Sequence, residues 1–404
     1  MSNWPTKKLG EICDFQFGFS FKTSDFNSEG KGLPVIRIGD LEKQTPEVFY
    51  EKNYDSQYLV KPGDILVGLS GTIITKIWNG PKGLLNQRVV KLKNFRDANK
   101  KFVFYALIEP LKRLSEELFR SAVKNVLKHH LYNLEIPLPP LPIQQKIVSI
   151  LDTIQSAIEV QEKIMEKAKE LKKSMMAELF KYGAPSFRKG RKLKKTEIGE
   201  IPENWDVVRL GEVVEKIQYG ISKKGQREGE YPILRMNNLM EGQINTQDLQ
   251  FVDLTKDEFD KFKLIKGDII FNRTNSIELV GKTALFDLER DFVFASYLLR
   301  IRVNILKLLP QFLNWYFNWG KSQERLKKLA SRGASQVNIS ATRLRTFQIP
   351  LPPLSEQREI AEILQTIDQK IEIEKRKKEL YEELFKTILN KIMNQEIDVE
   401  KIKI

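Results

Sequence analysis

Short apolar runs punctuate the first hundred positions: "LPVIRI" from Leu33, "DILVGL" from Asp64 and "RVVKLK" from Arg88. Each is rich in β-branched residues and bounded by Gly, Pro or Asp, a pattern that predicts strands. "YPILRM" from Tyr231, "DIIFNR" from Asp268 and "YLLRIRV" from Tyr297 repeat it in the second half. Two longer segments, "FVFYALIEPLKRLSEELF" and "LPQFLNWYFNWGKSQERLKKLA", place apolar residues at helical spacing, and Pro310 suits a first helical turn. The aromatic run Trp315, Tyr316, Phe317 and Trp319 fits a helix packed on a sheet better than a base-stacking platform.

A third pattern has a longer period. Ile147, Leu151, Ile154, Ile158, Gln161, Met165 and Ala168 step by alternating fours and threes. Ile360, Leu364, Ile367 and Ile371 do the same, with Tyr381, Leu384, Ile388 and Ile392 extending the stripe. A repeat of about 3.5 residues is a coiled-coil seam, and some 40 residues give a rod of roughly 60 Å. Neither stripe can be left in water, so the rods should pair with each other. In an antiparallel arrangement with midpoints together, the polar seam residues Gln161 and Glu374 face one another and fix the register.

Both rods follow the same hexapeptide, "IPLPPL", at Ile136 to Leu141 and again at Ile349 to Leu354, 213 positions on (349 against 136). The duplication is wider than that. "NWPTKKLGEI" aligns with "NWDVVRLGEV", "KPGDILVGLSGT" with "IKGDIIFNRTNS", and "LPIQQKIVSILDTIQSAIE" with "LSEQREIAEILQTIDQKIE". The expected fold is therefore mixed α/β: two similar globules joined by two long antiparallel coiled-coil helices, with internal pseudo-twofold symmetry. Prolines fix φ, remove donors and forbid helix upstream, so each bracket starts its rod at a defined place and angle. Pro142 and Ser355 are both favourable first-turn or capping residues. Between the halves, "YGAPSFRKGRKLKKTEIGEIPE" reads as a basic linker, a solvated connector or a strap on phosphates.

Charge adds a partner. Across 404 residues, 67 Lys and Arg stand against 53 Asp and Glu, a net +14, which favours a polyanion and above all nucleic acid. "MSNWPTKKLG" is no signal peptide, and no apolar run of about 18 residues occurs, so a cytoplasmic chain with no membrane role is expected. Cys13 stands alone, which excludes internal disulfides. Walker, dinucleotide, zincin and nucleophile-elbow motifs do not occur; "GISKKG" ends at Gln226 where a Walker loop needs Lys, and the adjacent His129 and His130 point apart. No catalytic or metal site is expected.

Two globules, each closed by an "IPLPPL" bracket and a long helix, with "IGEIPENW" opening the second, resemble the DNA-sequence specificity subunits of type I restriction-modification enzymes. The resemblance implies two target recognition domains, 1–141 and 203–354, with spacer helices 142–182 and 355–394, a linker 183–202 and a tail 395–404. It implies a noncatalytic subunit that binds an asymmetric bipartite duplex and scaffolds two methyltransferase subunits and restriction/translocase subunits. S-adenosylmethionine, ATP and Mg would belong to those partners, leaving no cofactor in this chain. The first globule lacks a counterpart of the "KKTEIGEIP" lead-in, which makes the tail after Met393 a candidate to pack there. A free-standing DNA-modifying enzyme and a coiled-coil scaffold without a DNA role are the competing readings.

Candidate DNA contacts are Lys and Arg for phosphates and Arg, Asn, Gln and hydroxyl residues for base edges. The loop after the "GDI" strand offers Asn272, Arg273 and Asn275 in the second globule against Ser70 and Thr72 in the first. Near the first strand of each globule stand Gln16 and Lys22, and Gln218, Tyr219, Lys223, Lys224 and Arg227. Arg37 and Arg235, and Arg88, accompany the strands. Ahead of the brackets come Lys124, Asn125 and Lys128, and Arg332, Gln336 and Asn338.

Overall fold

The computed structural model describes residues 4–70, 73–120, 128–332 and 336–402, with the side chain of residue 332 left out. The chain divides into two compact units, Met1–Glu162 with Arg376–Ile404, and Lys163–Lys375. The division cuts both long helices, Leu141–Tyr182 and Leu354–Met393, near their middles, so each unit holds one globule and half of each helix. Within each unit the half-helices run antiparallel. In the first, Lys378 pairs with Glu162 at 2.8 Å and Lys146 donates to the Glu400 carbonyl at 2.8 Å. In the second, Lys172 pairs with Asp368 at 2.6 Å and the Ala184 amide donates to Glu356 at 3.1 Å. Among the described residues, no helix is long and apolar enough to cross a membrane.

The duplication holds strand by strand. A four-stranded antiparallel sheet in the first globule runs Asp14–Phe17, Val89–Lys93, Ile65–Gly68, Thr75–Ile77. Its counterpart runs Val214–Tyr219, Leu298–Val303, Ile269–Asn272, Thr283–Leu285. Beside each lies a parallel pair, Leu33–Ile36 with Gly83–Leu85 and Tyr231–Leu234 with Val293–Phe294. The central strands are buried on both faces, which explains their unbroken runs of Val, Ile and Leu. Gly18 and Gly220 end the first strand of each sheet, where a Cβ would meet the Asn86 carbonyl oxygen at 1.9 Å or that of Phe294 at 2.2 Å. Only glycine admits that approach.

Each bracket enters a two-stranded edge ladder, Glu135–Pro137 with Thr6–Lys8 and Gln348–Leu351 with Asp206–Arg209, where a proline removes no central donor. The angle between ladder and rod is then held by a glutamine in the first helical turn. Gln144 is fully buried; its amide nitrogen donates to the carbonyls of Pro139 (2.7 Å) and Asp97 (3.2 Å), and its oxygen accepts from the Asn99 amide (2.7 Å). Gln357, also fully buried, repeats the arrangement with Pro352 (2.8 Å), Lys307 (2.9 Å) and the Leu309 amide (2.8 Å). Asn99 and Leu309 precede the globule helices Lys100–Arg120 and Pro310–Asn318, so one side chain ties bracket, rod and globule together.

The two units differ in what covers their opening tryptophan. Trp205 donates from its ring nitrogen to Glu356 at 2.9 Å, and Glu356, fully buried, also takes both terminal nitrogens of Arg191. The basic linker is thus an ordered hairpin, Leu193–Thr196 with Gly199–Pro202, and its Arg191 is committed to protein. In the first unit the tail does this work: Gln395 accepts from the Trp4 amide at 3.0 Å and Val399 is buried. Gly183 (φ 80°) and Gln395 (φ 59°) end the two long helices in left-handed caps.

Two details depart from the expected pattern. The second globule helix is broken into Pro310–Asn318 and Gly320–Lys328, with Trp319 extended between them and its ring 5.3 Å from that of Phe180. Trp315, Tyr316 and Phe317 are buried in the core, which makes them packing residues. On the second long helix Leu384 is exposed, and Phe385 takes its place beside the first unit's core with Ile388 and Ile392. Gln161 sits half-buried with its side-chain oxygen unpartnered, and Glu374 is buried and pairs with Lys370 at 2.6 Å.

Gln144→Leu or Gln357→Leu removes the partner of one buried carbonyl, Pro139 or Pro352, and of two part-buried backbone groups, so either should lower the unfolding free energy by on the order of 3 kcal/mol in a urea titration. Glu356→Leu leaves Arg191 without its counter-charge, at about 3–5 kcal/mol, and should open residues 188–195 to protease; adding Arg191→Leu should restore most of that stability.

Candidate nucleic-acid interface

Strand register decides which loops meet. In the first sheet Val90 lies opposite Phe17 and Val89 opposite Gly68; in the second Leu299 lies opposite Tyr219 and Leu298 opposite Asn272. The segments after the first strand, after the "GDI" strand and before the long central strand therefore emerge side by side. The opposite end of each central strand, Lys93 or Val303, leads to the glutamine joint. Loops and rod joint occupy opposite ends of each sheet.

In the second unit these loops bring Tyr219, Arg273, Asn275 and Asn338 together. Arg273 donates its amide to the Tyr297 carbonyl at 3.1 Å, and its guanidinium lies 4.9 Å from the Tyr219 ring centroid with Nε buried and unpartnered. Tyr219 is 42 % exposed, and its hydroxyl accepts from the Ala341 amide at 3.0 Å. Thr274–Asn275 pairs with Val337–Asn338, which pairs in turn with Ser331–Arg332, and the Thr274 hydroxyl donates to Asn338 at 3.1 Å. Asn275 donates to the Met236 sulfur at 2.8 Å and accepts from the Ser276 amide at 2.8 Å. Lys224, Arg227 and Gln336 are exposed.

Several sequence candidates turn out to hold the fold. Asn272 is fully buried and donates to the Leu279 carbonyl at 3.2 Å, which removes it as a base reader; strand alternation points it inward. Gln218 donates to the Lys261 carbonyl at 3.1 Å and accepts from the buried Arg300 guanidinium, whose pKa burial pushes down. Lys223 pairs with Glu258 at 2.8 Å, the residue that closes the Thr255 capping box. Arg235 pairs with Asp248 at 2.8 Å.

The first unit presents other chemistry on the same frame. Gln16, equivalent to Gln218, accepts from Lys93 at 2.9 Å and is likewise committed to the sheet. Arg37 and Arg88 join Gly39, Asn86 and Gln87 around a concavity of about 450 Å³. Arg37 leans on Asp40 at 3.4 Å with 41 % of its side chain exposed. Asn86 and Gln87 are not among the sequence candidates; their polarity next to Arg88 is the signal that could have found them. Lys128 places its ammonium 4.8 Å from the Phe17 ring centroid, Ser70 is half-buried, and Lys22 is exposed. Thr72, Lys124 and Asn125, with the side chain of Arg332, lie outside the described residues. Cys13 is buried in the core, and burial pushes its thiol up to about 12, which leaves it inert.

The family described as type I restriction modification DNA specificity domain matches the chain twice, over residues 1–170 and 202–383. The type I restriction enzyme MjaVIII specificity subunit of Methanocaldococcus jannaschii is 32% identical over 410 residues, covering 91% of this chain and 93% of its own. The MjaX specificity subunit of the same organism is 37% identical over 210 residues, so the chain spans only about half of it, 49% of each. In fold, the chain is similar to the type I restriction-modification S subunit from M. genitalium, with a TM-score of 0.57 over 97% of this chain and 96% of that one, at 16% identity. The chain belongs to the type I restriction-modification DNA specificity family, whose members are noncatalytic subunits that recognise DNA and assemble with other subunits of their systems.

Proposed function

We propose that the chain binds an asymmetric bipartite duplex target, one half-site per globule, and scaffolds two methyltransferase subunits and restriction/translocase subunits in the cytoplasm. One observation carries this reading: the same loop frame is built twice, and its exposed side chains differ at equivalent positions. A common frame with different readers calls for two different half-sites, separated by a gap that neither globule reads. The net charge of +14 supplies the attraction to phosphate that such a reading needs. In this reading the globules correspond to 1–141 and 203–354, the helices serve as spacer, and Gln161 and Glu374 mark their register. S-adenosylmethionine, ATP and Mg belong to the partners.

The outer faces of the long helices support the scaffold role. Val160, Ile164 and Leu171 are exposed on the first helix, and Ile373, Leu380 and Leu384 on the second. Spacings of four and seven put each trio on one helical face, away from the buried seam. Apolar stripes of that kind are covered by a partner helix in a working assembly.

Coexpression with the neighbouring methyltransferase, followed by genome-wide mapping of modified bases, should give a two-part motif with an unread gap. A short continuous motif refutes the two-module reading, and modification or cleavage by the purified chain alone would establish a free-standing enzyme. DNA affinity that does not fall with salt would favour a scaffold without a DNA role. Leu171→Glu or Leu380→Glu should weaken copurification of the methyltransferase at least tenfold while leaving thermal unfolding of the chain unchanged within a few degrees.

A further inference from the structure

Phe17 and Tyr219 are equivalent aromatics: each ends the first strand of its sheet and precedes the glycine of closest approach. Each carries a cation on its ring, but the two cations come from different places in the frame. In the first unit it is Lys128, on the helix Lys128–Tyr132, 4.8 Å from the Phe17 centroid. Its equivalent in the second unit is Ala341, on the helix Ala341–Arg345, 213 positions on (341 against 128). In the second unit the cation is Arg273, 4.9 Å from Tyr219. Its equivalent in the first unit is Leu69, since the Leu69 amide donates to the Arg88 carbonyl (2.9 Å) as the Arg273 amide does to that of Tyr297 (3.1 Å). Leu69 is buried and apolar. Where one unit has a cation, the other has a small or apolar residue.

We infer that this transposed aromatic–cation pair gives the two units different kinds of DNA contact from the same aromatic position: Lys128 on Phe17 grips a phosphate, and Arg273 on Tyr219 forks onto a guanine. The inference rests on the DNA-binding reading above. An ammonium is a compact point charge that holds phosphate without sequence preference. A guanidinium laid on a ring, with its backbone pinned, holds its planar fork in one orientation, the condition for bidentate pairing with guanine O6 and N7. Asn275 and Asn338, set beside Arg273 by the Thr274–Asn275 and Val337–Asn338 ladder, supply neighbouring polar edges. Around Lys128 the ring of Phe17 lies 6.3 Å from that of Phe15, which in turn lies 4.5 Å from that of Tyr132.

The test uses the full chain with its methyltransferase on duplexes carrying the mapped motif, each base pair substituted in turn, with Kd measured over a range of salt. Arg273→Lys keeps charge and ring contact; it should hold affinity within about threefold yet lose tenfold or more of the discrimination at one G·C pair of one half-site. Arg273→Leu with Ala341→Lys moves the second unit's cation to the first unit's position and should behave the same way. Lys128→Ala should weaken all sequences alike and shallow the log–log salt slope by about 1. Discrimination unchanged at every position in Arg273→Lys, or a base preference altered by Lys128→Ala, overturns the inference while the two-module reading stands. A complex of the unaltered chain with no bipartite preference overturns both.

Discussion

Everything outward of the rods depends on a buried glutamine amide. Rod and globule share an apolar core in each unit, through Ile147 and Leu151 in the first and Ile360 and Leu364 in the second, but non-directional packing does not by itself fix their angle. Gln144 and Gln357 remove that freedom because each buried amide bonds three backbone groups at once, donating twice from its nitrogen and accepting once at its oxygen. Hydrogen bonds in such a site are directional and expensive to break, so they hold an angle that apolar packing would leave loose. Prolines on one side and a helix start on the other leave little slack for the amide to follow. A reader fixed at a set angle on a rod of set length is what a bipartite target requires.

Buried charge works differently at the two joints. Glu356 collects Arg191, the Trp205 ring nitrogen and the Ala184 amide, and so fastens the linker to the second unit. The first unit meets the same need with Gln395 and the apolar Val399 of the tail. A pocket closed by an ion pair and one closed by a neutral amide and a methyl pair can serve the same geometry. The charged version confers specificity on which segment docks, at a desolvation cost that three donors offset.

Reading loops carry the opposite logic. They sit at the far ends of the sheets, where strand ends leave backbone groups to be bonded by neighbours and side chains are free to vary. Some of the cations the composition advertises are already engaged there: Lys223 by Glu258 and Arg235 by Asp248. In the reading proposed above, net charge steers the chain to DNA and the side chains left at the loop tips discriminate among sequences.

The sequence by itself determined the repeat, the strands, the two long helices and the place where each begins, because periodicity and proline act locally and survive without a partner. It also placed Arg37, Arg88, Lys128, Tyr219 and Arg273 among the candidates, since residue type limits who can contact DNA. It could not say that Asn272, Gln16 and Gln218 face the protein, because strand direction and cross-strand neighbours are set by register between distant segments. The helix break at Trp319 and the exchange of Leu384 for Phe385 have the same origin: docking against Phe180 and the first core outweighed local periodicity. Most of all, the pairing of Phe17 with Lys128 and of Tyr219 with Arg273 joins residues that are distant along the chain. Only the tertiary structure, by folding one frame twice, decided which cation each aromatic would carry.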